Sequence, residues 1–129
     1  MLKYKINGID ISINLNNGVY TFYGYSGEGK SYLAFLLKEL RKQGYNVDSY
    51  SYLDDVAYSS NVYNILSNSN NVLVFIDRLD MFINEELSIF INSIKDKIIL
   101  LDYKHEIYEI PNLNYCSIEY CKGRINIES

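Results

Sequence analysis

The apolar residues of this chain change period several times, and each change marks an element. Residues 2–6 and 9–15 alternate apolar with polar positions, and Ile9, Ile11, Ile13 and Leu15 fall on one face, as a half-buried strand requires. Asn16-Asn17-Gly18 follows, then Val19-Tyr20-Thr21-Phe22-Tyr23. An Asn-Gly pair between two strand patterns predicts a tight hairpin, which gives the strand at 19–23 an antiparallel neighbour just before it. From Lys30 the period becomes helical through Leu33, Leu36, Leu37 and Leu40, and Gly44 stands where a helix stop is expected. Residues 45–52 read as a strand, and 56–69 as a helix carried by Val62, Ile65 and Leu66 against a high Ser and Asn content. The run at 72–76 is continuously apolar, like a strand buried on both faces. Residues 84–93 predict a helix capped by Asn84, with Glu85 and Glu86 in its first turn. A further buried strand is expected at 97–101, and two more, 115–120 and 124–127, flank Lys122-Gly123.

Strands alternating with helices over 129 residues predict one domain, residues 1–129, of α/β class. The expected architecture is a largely parallel sheet flanked by helices on both sides, with antiparallel strands at the N- and C-termini. Sheets of that kind bind ligands beyond the carboxyl ends of their strands, so the loops after Tyr23, Ile76 and Leu101 are where chemistry is sought.

Composition narrows the function classes. Hydrophobic residues make up 48% of the chain, which supports a folded core, and the formal charge of −4 argues against nucleic acid as a partner. The longest apolar runs are far too short to span a bilayer, and the opening Met1-Leu2-Lys3-Tyr4-Lys5 lacks the apolar stretch of a secretory signal, so a cytoplasmic location is expected. Cys116 and Cys121 with the single His105 supply too few ligands for a zinc site, and free thiols are expected.

The strongest chemical signal is Gly24-Tyr25-Ser26-Gly27-Glu28-Gly29-Lys30-Ser31, which satisfies G-x-x-x-x-G-K-[ST] at every fixed position. A match in a chain this size arises by chance on the order of once in a few hundred. Here it also follows a predicted strand and opens a predicted helix. Phosphate oxygens need several donors converging on one point, and consecutive backbone N–H groups in a nest provide them. Gly24, Gly27 and Gly29 permit the tight conformations this demands, and the helix N-terminus adds partial positive charge. Lys30 is expected to reach the β- and γ-phosphates and the Ser31 hydroxyl to ligate Mg²⁺.

With this motif the chain resembles a P-loop nucleoside triphosphatase: residues 24–31 match its Walker A motif, and residues 72–77, apolar residues ending in Asp77, look like its Walker B strand. The order of elements is similar to the additional-strand division, which includes the AAA+ and ABC ATPases. The resemblance implies a three-layer P-loop NTPase fold, ATP and Mg²⁺ as cofactors, and catalytic roles for Lys30 and Asp77, with Asp77 joining Ser31 at the metal. It also implies that the strand at 97–101 lies between the two motif strands, placing Asp102 near the γ-phosphate. No Leu-Ser-Gly-Gly signature precedes residues 72–77, which argues against an ABC transporter ATPase.

One departure bears on hydrolysis. In Ile76-Asp77-Arg78-Leu79-Asp80, Arg78 stands where active relatives carry the glutamate that deprotonates water, and an arginine stays protonated. Asp54, Asp55, Asp80, Glu85 and Asp102 are the substitute candidates, each weighed against an ordinary solvated acid. Arg78 itself is either a charge-stabilising finger at a subunit contact or a surface residue, and His105 either faces the γ-phosphate or is a surface histidine. Three functions follow: a slow or partner-activated ATPase or ATP-dependent switch, a small-molecule or nucleotide kinase, and a non-hydrolysing nucleotide-binding interaction module. Arg41, Arg78 and Arg124 are the only arginines, too few for a kinase lid. Partners expected are the nucleoside triphosphate and either another protein or a second copy of the chain.

Overall fold

A computed structural model describes residues 1–23, 30–51, 59–103 and 110–129. Among them the chain runs β1 (Leu2–Ile6), β2 (Ile9–Asn14), β3 (Gly18–Phe22), α1 (Lys30–Lys42), β4 (Val47–Ser51), α2 (Ser59–Ser67), β5 (Leu73–Asp77), a 3₁₀ turn (Leu79–Met81), α3 (Glu85–Ser93), β6 (Ile98–Leu101), β7 (Asn114–Cys121) and β8 (Arg124–Glu128). All eight strands join one sheet in the order β1-β2-β8-β7-β3-β6-β5-β4.

The expected three-layer P-loop architecture, a largely parallel sheet sandwiched by helices, is corrected here. The sheet is mixed, strands dominate over three short helices, and the whole curls into a half-barrel. The strands β7, β3, β6, β5 and β4 run parallel, but β1–β2 and β8–β7 pair antiparallel while β2–β8 is again parallel. The antiparallel strands therefore form no separate ends; they are half of one continuous sheet. The reason lies in their alternation. Ile11, Ile13, Ile125 and Ile127 face the cluster that holds the α1 leucines, while Asp10, Ser12, Arg124 and Asn126 on the other face stay partly or fully open to water. A strand pattern with one apolar face covers one side only, so no further layer extends over this wing.

The hairpin expected at Asn16-Asn17-Gly18 is also corrected: β2 does not pair with β3, whose neighbours are β6 and β7. The tight turn is at Asn7-Gly8, where both residues take positive φ (50° and 76°) and Ile6 faces Ile9, the geometry that matches strand twist in a two-residue hairpin. Elsewhere the expected elements form. Helix α1 ends in a motif that uses Gly44 (φ 95°): its N–H donates to Arg41 O at 3.0 Å, and Tyr45 N–H to Leu40 O at 3.1 Å. Asn84 caps α3, its Oδ1 accepting from Leu87 N–H at 2.8 Å.

Two apolar clusters lie on opposite faces of the central strands. One joins Leu33, Leu36, Leu37 and Leu40 of α1 with Phe22, Leu73, Phe75 and Leu100. The other joins Val62 and Leu66 of α2 and Leu87 and Ile91 of α3 with Val74, Ile76, Ile99 and Leu101. Residues 73–76 and 98–101 are buried throughout, which is why neither stretch carries a polar residue. Lys97, 1% exposed, sends its ammonium to Leu66 O at 2.6 Å, supplying a charged donor near the carbonyl end of α2. No helix among the described residues is long and apolar enough to cross a membrane.

Candidate functional site

Adjacent parallel strands bring the candidate residues together. β6 lies between β3 and β5, where the strand at 97–101 was expected. Ile76 is in register with Leu101, so the next residues, Asp77 and Asp102, emerge side by side at the carboxyl ends of β5 and β6. On the other side of β6, Phe22 ends β3 and the chain enters residues 24–29, which lie outside the described residues, before returning as Lys30, the first residue of α1.

The docking of α1 sets where Lys30 falls. Lys38 Nζ bonds Asp48 Oδ1 at 2.9 Å and Ser49 O at 2.6 Å, Ser49 Oγ donates to Ala34 O at 2.8 Å, and Arg41 bonds Asn71 Oδ1 at 3.3 Å. These polar ties, made around the leucine face, fix the helix along β4 and β5. Lys30 is 6% exposed; its Nζ lies 3.3 Å from Asp102 Oδ1 and 5.5 Å from the centroid of the Phe22 ring. An ammonium so withdrawn from water requires such an anion.

Asp102 is 8% exposed and held by its backbone as well: its N–H donates to Ile76 O at 2.9 Å and its carbonyl accepts from Leu79 N–H at 2.8 Å. Its carboxylate neighbours the Asp77 carboxyl, close enough to share a hydrogen bond with it when one of the two is protonated. Burial first, then this hydrogen bond and the negative charge of Asp102, push the Asp77 carboxyl up to about 6, against an opposing pull from Arg78. Lys30, Asp102 and Asp77 thus form one connected series of charged groups at the edge of the sheet. The signal for it was present in two places in the sequence, since each aspartate directly follows a run of apolar residues, 72–76 and 98–101.

Arg78 adopts the left-handed conformation (φ 50°, ψ 50°) and turns back on Asp80, with Nε–Oδ1 at 3.2 Å and Nη2–Oδ2 at 3.3 Å. The hydrogen bond to Asp80 raises its already high pKa. Asp80, whose side chain is 2% exposed, is therefore tied to Arg78 and sits poorly as a water-activating base. Glu85 is exposed in the first turn of α3, where a carboxylate stabilises the helix dipole. Ser31 is exposed as the second residue of α1. Gly24, Tyr25, Ser26, Gly27, Glu28 and Gly29, with Asp54, Asp55 and His105, lie outside the described residues.

Among the described residues no group of three or more His, Cys, Asp or Glu side chains gathers to hold a metal ion. The two described carboxyls at the carboxyl ends of β5 and β6, Asp77 and Asp102, are hard oxygen donors. Both cysteines are free thiols; burial pushes the Cys116 thiol up to about 12, which keeps it protonated. Comparison with protein-family models, with curated proteins and with solved structures finds no match to this chain.

Proposed function

We propose that the chain binds a nucleoside triphosphate, ATP, with Mg²⁺, and acts as an ATP-dependent switch whose hydrolysis is slow or awaits a partner. One observation carries this reading: the lysine that closes the G-x-x-x-x-G-K-[ST] sequence is a buried ammonium at a helix N-terminus, bonded to an acid beside the Walker B-like Asp77. In this reading the amides of residues 24–29 cradle the phosphates and Lys30 neutralises the β- and γ-oxygens. Asp77 and Ser31 would hold the cation, which supplies electrostatic stabilisation of the transferring phosphoryl group. Asp77 orients that shell, and Asp102 stands where a polar group faces the γ-phosphate. The engagement of Arg78 with Asp80 favours slow turnover, because neither residue serves as base. A non-hydrolysing interaction module differs only in that last step.

Thermal unfolding tests the reading. Mg-ATP at about a hundred times its dissociation constant stabilises a fold by about 2.7 kcal/mol, which is several degrees for a domain of this size. The shift is expected in the wild type and absent in Lys30→Ala. A wild type that melts at one temperature with or without ATP or GTP refutes it. Where the shift is seen, phosphate release separates the ATPase from the non-hydrolysing module, and a phosphorylated small molecule would mark a kinase.

A further inference from the structure

The outward face of the β1-β2-β8 wing is laid out in two rows. Strand register sets Lys5, Asp10 and Arg124 side by side, and Lys3, Ser12 and Asn126 beside them. These six residues line a cavity of about 530 Å³, and Tyr45, whose ring meets Tyr4 edge-on with centroids 5.6 Å apart, lines it too. Cavities of this size hold small-molecule ligands. It is separate from Lys30, since β7 and β3 stand between β8 and β6 in the sheet. Its charge also runs against that of the chain: three cations and one acid leave a surplus of two positive charges, on a protein of formal charge −4. Like charges set side by side on a sheet face repel, and little here relieves them. Among the described residues neither Lys3 nor Arg124 has an ion-pair partner, and the Ser12 hydroxyl and Asn126 side-chain amide make no hydrogen bond. Lys5 Nζ comes only to 4.0 Å from Asp10 Oδ1, with the two side chains 75% and 55% exposed, a contact worth little in water.

We propose that these rows form a second ligand site, which takes a small phosphorylated sugar. A phosphate monoester carries about two negative charges at neutral pH, which matches the surplus on the rows. Lys3, Lys5 and Arg124 offer it charge-assisted hydrogen bonds, and the planar fork of Arg124 suits two phosphate oxygens. Between and beside them stand groups that suit hydroxyls: Asp10 accepts, while Ser12 and Asn126 both donate and accept. Tyr45 adds a flat apolar wall. A longer polyanion fits the face poorly. On β7 the row of Asn126 continues into Glu119, and Glu128 stands two residues further along β8, so a nucleic-acid backbone crossing the wing meets both acids.

The test is titration of the isotope-labelled full chain with glucose 6-phosphate, glucose, inorganic phosphate and a single-stranded oligonucleotide, followed by amide resonances. Glucose 6-phosphate is expected to shift residues 3–5, 10–12 and 124–126 saturably, and to bind about tenfold or more tightly than glucose or inorganic phosphate. The double variant Lys3→Gln/Arg124→Gln should weaken it about tenfold or more. Lys42→Gln/Lys95→Gln removes the same charge from exposed positions outside the cavity and should weaken it less than about threefold. All four side chains are exposed, so both variants should keep the wild-type spectrum away from the changed positions. Equal weakening by the two variants overturns the proposal, and so does inorganic phosphate that binds as tightly as the sugar phosphate. An oligonucleotide that binds these rows more tightly overturns it in favour of a nucleic-acid face. A wild type whose rows respond to none of the four overturns it outright, and that result leaves the nucleotide reading at Lys30 untouched.

Discussion

Replacing Asp77 with asparagine probes the carboxyl pair through stability, without any ligand. In the folded chain this carboxyl is raised from an ordinary 3.8 to about 6. Between those two values the folded protein keeps a proton that the unfolded chain has released, so the group favours folding at low pH. Its contribution is fully present below about 4 and is lost as pH rises through about 6. At neutral pH the folded protein therefore carries a penalty, set by burial and by the Asp102 charge, and eased by Arg78. A displacement of that size is worth about 3 kcal/mol in a dry site. Asp77 is only half-buried, and solvent screening reduces this to about 1–2 kcal/mol. Asparagine keeps the shape, donates to Asp102 through its amide and has no charge to lose. At about pH 7.5 the Asp77→Asn variant should melt roughly 3–8 °C above the wild type, and at about pH 4 the two should coincide. Thermal unfolding of both proteins across this range, compared at each pH so that the other carboxylates cancel, is the assay. A difference that stays flat with pH, or a wild type that is the more stable at neutral pH, refutes the reasoning.

Two further substitutions test the framework around the site. Lys97→Met keeps the bulk of the stem but leaves the Leu66 carbonyl without its ammonium donor, and a loss of about 1–3 kcal/mol is expected from urea midpoints at unchanged slope. An unchanged or higher midpoint would show that α2 does not need that donor. Asn84→Ala removes the acceptor of the Leu87 N–H and should cost about 1 kcal/mol, with hydrogen exchange accelerated in the first turn of α3. Uniform protection in the variant would contradict the cap.

Elements were legible in the sequence and their partners were not. The leucines of α1, the Asn84 cap and the apolar runs of β5 and β6 speak through local period and local hydrogen bonds, which depend on residues a few positions apart. Pairing depends on residues far apart. Asn16-Asn17-Gly18 has the composition of a hairpin turn, yet β3 pairs with β6 and β7, both distant in sequence, and Asn7-Gly8 makes the turn instead. The expected three layers failed for the same reason, because nothing local says that β2 will lie along β8 and leave its outer face to water. At the candidate site, the aspartates after two buried strands could be picked out, and the register of β5 with β6 explains their meeting. The bond from Lys30 to Asp102 could not, since it follows from how Lys38, Arg41 and Asp48 seat α1. Nor could the left-handed backbone of Arg78, an uncommon conformation for such a side chain.

The parallel pairing of β2 with β8 puts a requirement on the order of assembly. Asp10 to Asn14 lie against Arg124 to Glu128, segments far apart in the sequence. During synthesis the β1–β2 hairpin has one strand edge with no mate until β8, far along the sequence, has been made. Its lysines at positions 3 and 5, both turned to solvent on β1, give that early hairpin like charges that discourage pairing with another nascent copy while it waits.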